Sequence, residues 1–598
     1  MSDRTIEPQW NIEQGFLATI LSFAMIAILL SILGWKIVIP FLSYEQNWQR
    51  WPDLQNAISG YALSLFGIKT KGWLRILHIL QGSHNEIYNA FLFHFYAPIV
   101  AAIPLSIGAG WLAALPHDSF HKRGPRLFSG NRAIKKAQSA ARKDGVKNNP
   151  GLWIHPDIQL PASMDTGGVF AIGSPGSGKT QILWPMLMDA LAAKPERRAV
   201  VLDNKGDFTE LTHPDWSIIL APWDARSAAW DIAKDVVTEL DAELFAASTI
   251  SVAKGDNAVF GNAARILLTG FMVCLQRLYG QNWGWVQLSE CIEWPGEAII
   301  VNFEKYYPIG LKVFKDNSKT SDSIVTNLIS ELAFIRHFAK AWPDSVGKFS
   351  LRTWIADGSK YKPVLLLQVN KSYPLLSDPF GCAVLSLLAQ IVLSPQMPDS
   401  RNRRIYFLLD EIAQIPRVEQ LNNLCAVGRS KGVSVWIGLQ DSGLLSKNYD
   451  KEEVNALIGM LRTKITLHMG EGPGAEFAAG LLGRREIEIK DIDDKGKTRN
   501  SRIETQQLVL PGEINGLPSA SLKGGAHGWL SVAGWDATLK LRWPIRQNKK
   551  IREGVELANW ISAPAPRPKI ETISQDEAVL PKKRLTKKSY PIDDDAQY

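Results

Sequence analysis

Residues 167–180 read Gly-Gly-Val-Phe-Ala-Ile-Gly-Ser-Pro-Gly-Ser-Gly-Lys-Thr, and this stretch decides the fold. Its second half satisfies G-x-x-x-x-G-K-[ST], the phosphate-binding P-loop, at Gly173, Gly178, Lys179 and Thr180. A short apolar run at 169–172 precedes it, as a buried strand would, and a helix-like segment follows at 181–193. Because strand and helix flank the loop as the motif requires, the sequence predicts a nucleotide-binding α/β unit rather than a chance match in a glycine-rich loop.

The residue types of the loop explain its chemistry. Glycines let the backbone curl so that its N–H groups surround phosphate oxygens, and the following helix adds its positive end. Lys179 is predicted to reach the β- and γ-phosphates and Thr180 to hold Mg²⁺ through its hydroxyl. The predicted phosphate-binding residues are Gly173, Ser174, Pro175, Gly176, Ser177, Gly178, Lys179 and Thr180.

A second apolar strand, at 405–409, closes with Asp410 and Glu411, which is the Walker B pattern. Asp410 at the strand end can orient Mg²⁺ and its water, and Glu411 can polarise the attacking water. The next strand, 433–439, ends in Gln440, which could sense the γ-phosphate or be a plain polar strand end. Arg429 lies in a glycine-rich turn before that strand, and it could be an arginine finger for a neighbouring subunit or a solvated loop charge.

Another strand, 198–202, ends in Asp203-Asn204-Lys205-Gly206-Asp207. Ligands bind at the carboxyl ends of strands in open α/β sheets, so this segment is either part of the site or an ordinary polar turn.

Two long uncharged runs, about 16–35 and 91–115, have the length that a bilayer core requires. The alternatives are a cleaved signal peptide and a buried core helix, but the first run lacks a basic start and a small-residue cleavage site. Nine basic residues follow the second run within 117–150 and only five lie between the runs, so the positive-inside rule places the N-terminus and the bulk of the chain in the cytoplasm. The sequence therefore predicts a multi-pass membrane protein; the resemblance described below implies that this membrane is the bacterial inner membrane.

The net charge of +8 fits an anionic partner without identifying one. The four cysteines have no paired spacing and are interpreted as reduced thiols rather than a disulfide frame or a zinc site. The sequence predicts a membrane domain at 1–116, which includes an extracytoplasmic loop, and then a basic linker at 117–150. A nucleotide-binding domain is predicted at 151–240 and 349–560, and an all-helical domain, whose aromatic residues form its core, is inserted at 241–348. A disordered tail is predicted at 561–598.

This order of segments resembles the type IV coupling proteins of bacterial conjugation and type IV secretion. The resemblance covers about 160–545 and is carried by an ordered set of motifs, each weak alone, at 173–180, 200–207, 222–230, 349–355, 408–411, 428–440 and 508–514. It implies a RecA-like P-loop NTPase with an inserted all-helical domain, preceded by two transmembrane helices. It supports Lys179, Thr180, Asp410, Glu411, Arg429 and Gln440 in the roles above.

The resemblance also implies function. Members of this family are membrane-anchored homo-hexamers that use ATP and Mg²⁺ to drive transfer of DNA, bound non-specifically as a single strand. They dock a relaxase or relaxosome onto the inner-membrane components of a type IV secretion system. Two rival interpretations are an FtsK-type DNA translocase, which would end in a winged-helix domain, and an adaptor that recruits protein effectors without moving DNA. An ABC-type transporter would need more spans and an LSGGQ-like signature.

Overall fold

The computed structural model describes residues 16–30, 67, 85–114, 119–194, 196–252, 258–313, 331–356, 362–492 and 498–562. Nearly all of the predicted tail and of the predicted extracytoplasmic loop lies outside these residues. The chain divides into two compact units, Met1–Gly124 with Arg484–Gln506, and Pro125–Gly483 with Gln507–Tyr598.

The smaller unit contains two apolar helices and a three-stranded sheet. The helices are Phe16–Leu30 and Asn85–Ala114. The sheet has the order β1-β12-β13, with β1 at Ser119–Arg123, β12 at Arg484–Ile492 and β13 at Thr498–Gln507. Both helices fall on the predicted membrane spans, and their large apolar side chains are exposed, as at Phe16 (69%) and Met25 (70%) on the first helix.

The larger unit is built on a ten-stranded sheet with the order β2-β15-β14-β11-β5-β10-β9-β6-β8-β7. The seven strands from β11 to β7 are parallel, and β14 and β15 continue the sheet antiparallel. The central strands are continuous buried runs because helices cover both faces of a parallel sheet. The strands are Arg126–Ser129 (β2), Val169–Ile172 (β5), Arg198–Asp203 (β6), Ser217–Leu220 (β7), Val364–Gln368 (β8), Ile405–Asp410 (β9), Val433–Leu439 (β10), Thr463–Leu467 (β11), Ala526–Val532 (β14) and Ala537–Trp543 (β15). A separate hairpin pairs β3 (Pro150–His155) with β4 (Ile158–Pro161).

The α-helices of this unit connect the strands. They are Gly130–Lys143, Lys179–Ala192, Asp207–Leu211, Ile232–Asp235, Glu239–Thr249, Ala258–Tyr279, Trp285–Ile292, Gly296–Tyr306, Ala333–Ala341, Leu351–Ala356, Pro374–Leu393, Leu421–Val427, Ser442–Leu445, Lys451–Met460, Pro473–Leu481, Pro511–Asn515 and Asn559–Ser562. Two of them, Ala258–Tyr279 and Pro374–Leu393, are long and apolar enough to cross a membrane, but 61% and 78% of their apolar windows are buried inside the unit. They are core helices.

All described elements between β7 and β8 are helical, although β7 and β8 are hydrogen-bonded neighbours. A helical block therefore interrupts two adjacent strands, as the sequence predicts. Its aromatic residues form a core: Trp285 lies 5.3 Å from Trp230 and 4.8 Å from Phe338 between ring centroids. Such edge-on and tilted contacts add stability beyond the area that they bury.

Much of the segment predicted as a basic linker is folded. Within 117–150, Arg126–Ser129 forms β2 and pairs in parallel with β15, and the helix Gly130–Lys143 buries Ala133, Ala137 and Ala141. The prediction was wrong here because the basic residues of this helix share its outer face, while the small alanines supply a buried face that a search for large apolar residues misses.

After β15 the chain runs across the carboxyl edge of the sheet as a strap, defined here as residues 544–562. The strap passes the helix Lys179–Ala192, where Asn548 lies near Gln181, and then Gln368, whose Nε2 donates to the Gly554 carbonyl at 2.9 Å. It ends beyond β7, where Trp560 Nε1 donates to the Pro222 carbonyl at 2.8 Å. The strap therefore braces several strand-end loops at one edge of the sheet.

Candidate nucleotide site

The loop between β5 and the helix Lys179–Ala192 has a backbone that requires glycine. Gly176 and Gly178 have φ values of 79° and 92°, in the left-handed region that side chains disfavour. At Gly173 a Cβ atom would lie 2.5 Å from Ser177 Oγ and 2.9 Å from Leu467 Cβ, so the loop has no room for one. These are the glycines of the predicted motif, apart from Gly176, which the motif leaves free.

Neighbouring strands hold this loop in place. Gly173 N donates to the Leu439 carbonyl at the end of β10 (3.1 Å), and Ser174 N donates to the His468 carbonyl after β11 (2.9 Å). On the outer side, Ala520 N donates to the Gly176 carbonyl at 3.2 Å. The loop is fixed from three directions, so its remaining N–H groups are pre-oriented for an anion.

Asp410 and Glu411 lie at the carboxyl end of β9. Glu411 adopts φ 57° and ψ 47°, a left-handed conformation that costs a non-glycine residue about 1–2 kcal/mol. Its N–H donates to the Gly438 carbonyl at 2.8 Å, which helps to hold this turn. Gly438 itself has no space for a side chain, because a Cβ would lie 2.3 Å from Asp410 Oδ1. The sequence around Gly438 carries no signal of this role, since only the pairing of β10 with β9 brings Gly438 beside Asp410.

The predicted residues of the two motifs meet. Thr180 Oγ1 donates to Asp410 Oδ2 at 3.4 Å, and Lys179 Nζ lies 3.6 Å from Glu411 Oε2 and 3.4 Å from the Gly173 carbonyl. Gln440 N donates to Glu411 Oε1 at 3.4 Å. One lysine, one hydroxyl and two carboxylates therefore share a single cluster at the sheet edge.

Burial sets the electrostatics of this cluster. It raises the pKa of Asp410 and the pKa of Glu411, and the nearby Lys179 ammonium partly offsets each rise. Asp410 Oδ1 is buried and forms no hydrogen bond with any described residue. A buried carboxylate oxygen without a donor, beside a threonine hydroxyl, fits a hard cation such as Mg²⁺, which prefers oxygen ligands. Thr180 and Asp410 could hold this ion.

These residues line a cavity of about 250 Å³ at the carboxyl edge of the sheet. The segment after β6 forms the wall of the cavity opposite the P-loop. Asp203–Asp207 is therefore part of the candidate site and not an ordinary polar turn. Phe208 and Gln414 also line the cavity, and no sequence signal pointed to them. The lining residues are Ser174 to Gln181, Asp203, Asn204, Lys205, Asp207, Phe208, Asp410, Glu411, Gln414 and Gln440.

Arg429 does not join this cluster. It is exposed and lies just before β10, whereas Gln440 follows the same strand at the cavity. A seven-residue strand is roughly 23 Å long, so Arg429 lies at the opposite edge of the sheet from the P-loop of its own chain. Among the described residues it has no ion-pair partner.

Comparison with known proteins identifies the family. Residues 152–525, more than half of the chain, match the model of the type IV secretion-system coupling protein DNA-binding domain. The coupling protein TraD of Escherichia coli (strain K12) is 22% identical over an alignment of 464 residues. The alignment covers 73% of this chain and 61% of TraD, so the chain spans about three-fifths of the length of that relative.

Solved structures share the fold. The conjugative coupling protein TrwBdeltaN70 in its unbound monoclinic form superposes with a TM-score of 0.61 at 20% identity, covering 73% of this chain and 96% of TrwBdeltaN70. TrwB in complex with ADP and Mg²⁺ gives 0.60 at 20% identity, covering 73% and 98%. The fold class predicted from sequence, a RecA-like domain with a helical insertion, is confirmed. The chain belongs to the family of type IV secretion-system coupling proteins.

Proposed function

We propose that the chain is a membrane-anchored hexameric ATPase that couples a relaxase–DNA complex to a type IV secretion channel and drives conjugative DNA transfer. The observation that carries the catalytic part is the meeting of Lys179, Thr180, Asp410 and Glu411 in one cavity. Family membership supports the coupling role, and TrwB, a protein of the same fold, has been solved with an ATP analogue and with ADP and Mg²⁺.

Binding of ATP follows from the geometry of the loop. Backbone N–H groups of 173–180 surround the phosphates, and Lys179 contacts the β- and γ-phosphates. Lys179 also lies 3.6 Å from Glu411, so a triphosphate competes with Glu411 for the same ammonium group. When Lys179 turns to the phosphates, Glu411 loses its counter-charge and becomes a better proton acceptor.

Hydrolysis then needs a water molecule in line with the γ-phosphorus. Glu411 takes a proton from this water while the oxygen of the water forms a bond to the γ-phosphorus. The bond between the γ-phosphorus and the β–γ bridging oxygen breaks, and ADP leaves. The Glu411 proton afterwards passes to the phosphate or to solvent. Thr180 and Asp410 would hold Mg²⁺, which would supply positive charge to the phosphate oxygens. Gln440 lies on the same wall and can orient the water.

The proposal also includes a membrane anchor formed by the two apolar helices and a hexameric ring. The helices Phe16–Leu30 and Asn85–Ala114 display apolar side chains such as Leu105 and Trp111, which suits lipid contact. In the proposal the helical block at 241–348 is a separate cytoplasmic domain and the hexamer places Arg429 of one subunit at the site of the next. The predicted boundaries of the membrane domain, nucleotide-binding domain and tail remain part of this proposal.

The deciding experiment measures ATP turnover by the purified full-length chain with and without single-stranded DNA. We expect DNA to stimulate turnover, because a translocating ATPase couples hydrolysis to its polymer substrate. The control is Glu411→Gln, which should stay inactive in both conditions. Turnover that ignores DNA but responds to a secreted protein would favour the effector adaptor instead.

DNA binding should be independent of sequence and sensitive to salt. Phosphate contacts by dispersed Lys and Arg residues release counterions, so log K should fall by about 0.7 per single-strand contact for each tenfold rise in salt. Titration of unrelated oligonucleotides over a salt series measures this slope. Affinity that did not change with salt, or that differed greatly between random sequences, would contradict the prediction.

A further inference from the structure

The segment after β6 contains one cationic side chain, Lys205, that makes no contact needed for the fold of the described residues. β6 is the direct neighbour of the Walker B strand β9, with Leu202 opposite Leu409, so the residues after β6 lie beside Asp410 and Glu411. Lys205 is exposed and lines the nucleotide cavity. Its ammonium group forms neither a hydrogen bond nor an ion pair with any described residue.

The neighbours of Lys205, by contrast, are accounted for by folding. Asp203 accepts from Thr209 N and Thr209 Oγ1, both at 2.8 Å, and so holds the start of the helix Asp207–Leu211. Asn204 Nδ2 donates to the Asp410 carbonyl and ties the segment to the Walker B turn. These contacts fix the backbone on both sides of Lys205.

Gly206 fixes the turn from outside. It has a φ of 81°, and a Cβ there would lie 2.8 Å from Gly554 Cα, so the strap packs directly on its backbone. The turn that presents Lys205 is therefore held by Asp410 on one side and by the strap on the other. A rigid turn of this kind can aim a lysine, whereas a loose surface loop cannot.

The charges of the cavity also call for a second cation. Among the described residues that line it, the cationic side chains are Lys179 and Lys205, against the carboxylates of Asp203, Asp207, Asp410 and Glu411. The P-loop surrounds the α- and β-phosphates and Lys179 approaches from that side. The γ-phosphate, the last of the chain, then faces the ends of β9 and β6.

We propose that Lys205 is a second active-site cation, supplied by the same chain, that contacts the γ-phosphoryl oxygens of ATP from the wall opposite the P-loop. The assignment rests on the proposed ATPase function and deepens it. Lys205 exchanges no proton and forms no bond to phosphorus. It contributes positive charge where negative charge develops in the transition state, and it distinguishes ATP from ADP because only ATP carries the group that it contacts.

The test compares nucleotide binding and turnover in the full-length chain. For Lys205→Ala we expect affinity for the non-hydrolysable analogue ADPNP to fall about tenfold or more, with ADP affinity changed less than about twofold, since one charge-assisted hydrogen bond is lost. We expect kcat to fall about 10²-fold. Lys205→Arg, which keeps the charge, should recover most of the ADPNP affinity.

Two further variants separate a specific contact from a change of overall charge. Lys194→Ala removes an exposed lysine just after the helix Lys179–Ala192, away from the cavity lining, and should change neither affinity. Asp207→Asn removes a charge from the same wall and should shift ADPNP and ADP affinities together. Equal loss of ADPNP and ADP binding in Lys205→Ala, or no loss of either, would overturn the proposal.

The outcome can be told apart from failure of the proposed function. If the wild-type chain hydrolyses ATP and Glu411→Gln does not, the ATPase assignment stands whatever Lys205→Ala shows. If the wild-type chain neither binds nor hydrolyses ATP, the proposed function itself fails, and the role of Lys205 fails with it. Matching thermal unfolding curves for wild type and variants exclude a folding defect as the cause.

Discussion

Glu411→Gln should abolish ATP turnover in the purified chain, by about 10²–10⁴-fold, and so should Lys179→Ala. Glutamine has the shape of glutamate and leaves the left-handed turn at this position unchanged, but it cannot accept the proton of the attacking water. Lys179→Ala acts differently, because it removes the contact to the β- and γ-phosphates and should weaken ATP binding as well. Turnover assays and ATP titrations on the two variants separate these effects.

Glu419→Gln is a matched control for the first variant. Glu419 is an exposed glutamate whose carboxylate lies 3.7 Å from Arg417 and does not line the cavity. It should turn over ATP at the wild-type rate. Membrane insertion should persist in all three variants, since the substitutions lie outside the apolar helices. Near wild-type turnover in Glu411→Gln would remove Glu411 from the catalytic role.

Mixing two inactive proteins, Lys179→Ala and Arg429→Ala, should restore part of the ATPase activity. Arg429 lies at the opposite edge of the sheet from its own P-loop, so in the proposed ring its guanidinium would serve the neighbouring subunit. An arginine at the γ-phosphate contributes about 10³–10⁵ in rate, so each protein alone should be nearly inactive. In randomly mixed rings about a quarter of the interfaces join an intact P-loop to an intact arginine, and these sites should work.

A second mixture provides the control. Lys179→Ala and Glu411→Gln both damage the same site within one subunit, so mixing them should restore nothing. Arg401→Ala, which removes an exposed arginine at the same sheet edge, should remain active. If Arg429→Ala alone is fully active, or if its mixture stays inactive although mixed hexamers are shown to form, Arg429 is a loop charge and the shared-site proposal fails.

The parts of the site that are predictable from the sequence are those encoded by local patterns. The P-loop and the Asp410-Glu411 pair each follow a buried apolar strand, and the parallel arrangement brings strand ends to one edge, so their meeting could be anticipated. Gln440 was placed at the cavity for the same reason. The helical interruption between β7 and β8 was visible as a change of period.

What could not be predicted depends on contacts between distant segments. Gly438 matters because β10 lies against β9, and nothing in the residues around it signals the closeness of Asp410 Oδ1. The strap looks like an irregular chain end, yet its Gly554 backbone packs on Gly206. The hairpin of β12 and β13 pairs with β1, more than 300 residues earlier, and its sequence contains several of the residue types, Asp, Asn, Glu and Lys, that are depleted in strands.

The position of β5 has a consequence for how the chain is made. Both neighbours of this strand, β10 and β11, are synthesised long after it: Ser434 Oγ donates to a carbonyl 269 positions earlier, and Gly470 N donates to Ser174 Oγ, 296 positions earlier. At a translation rate of about 5–20 residues per second, roughly 13–60 s pass between synthesis of the P-loop and synthesis of the strands that contact it. During that time an apolar strand stays unpaired, so the nascent chain is expected to need a chaperone. A chain that stops between β9 and β10 would carry the complete P-loop sequence but would lack the Leu439 and His468 carbonyls that hold the loop in place.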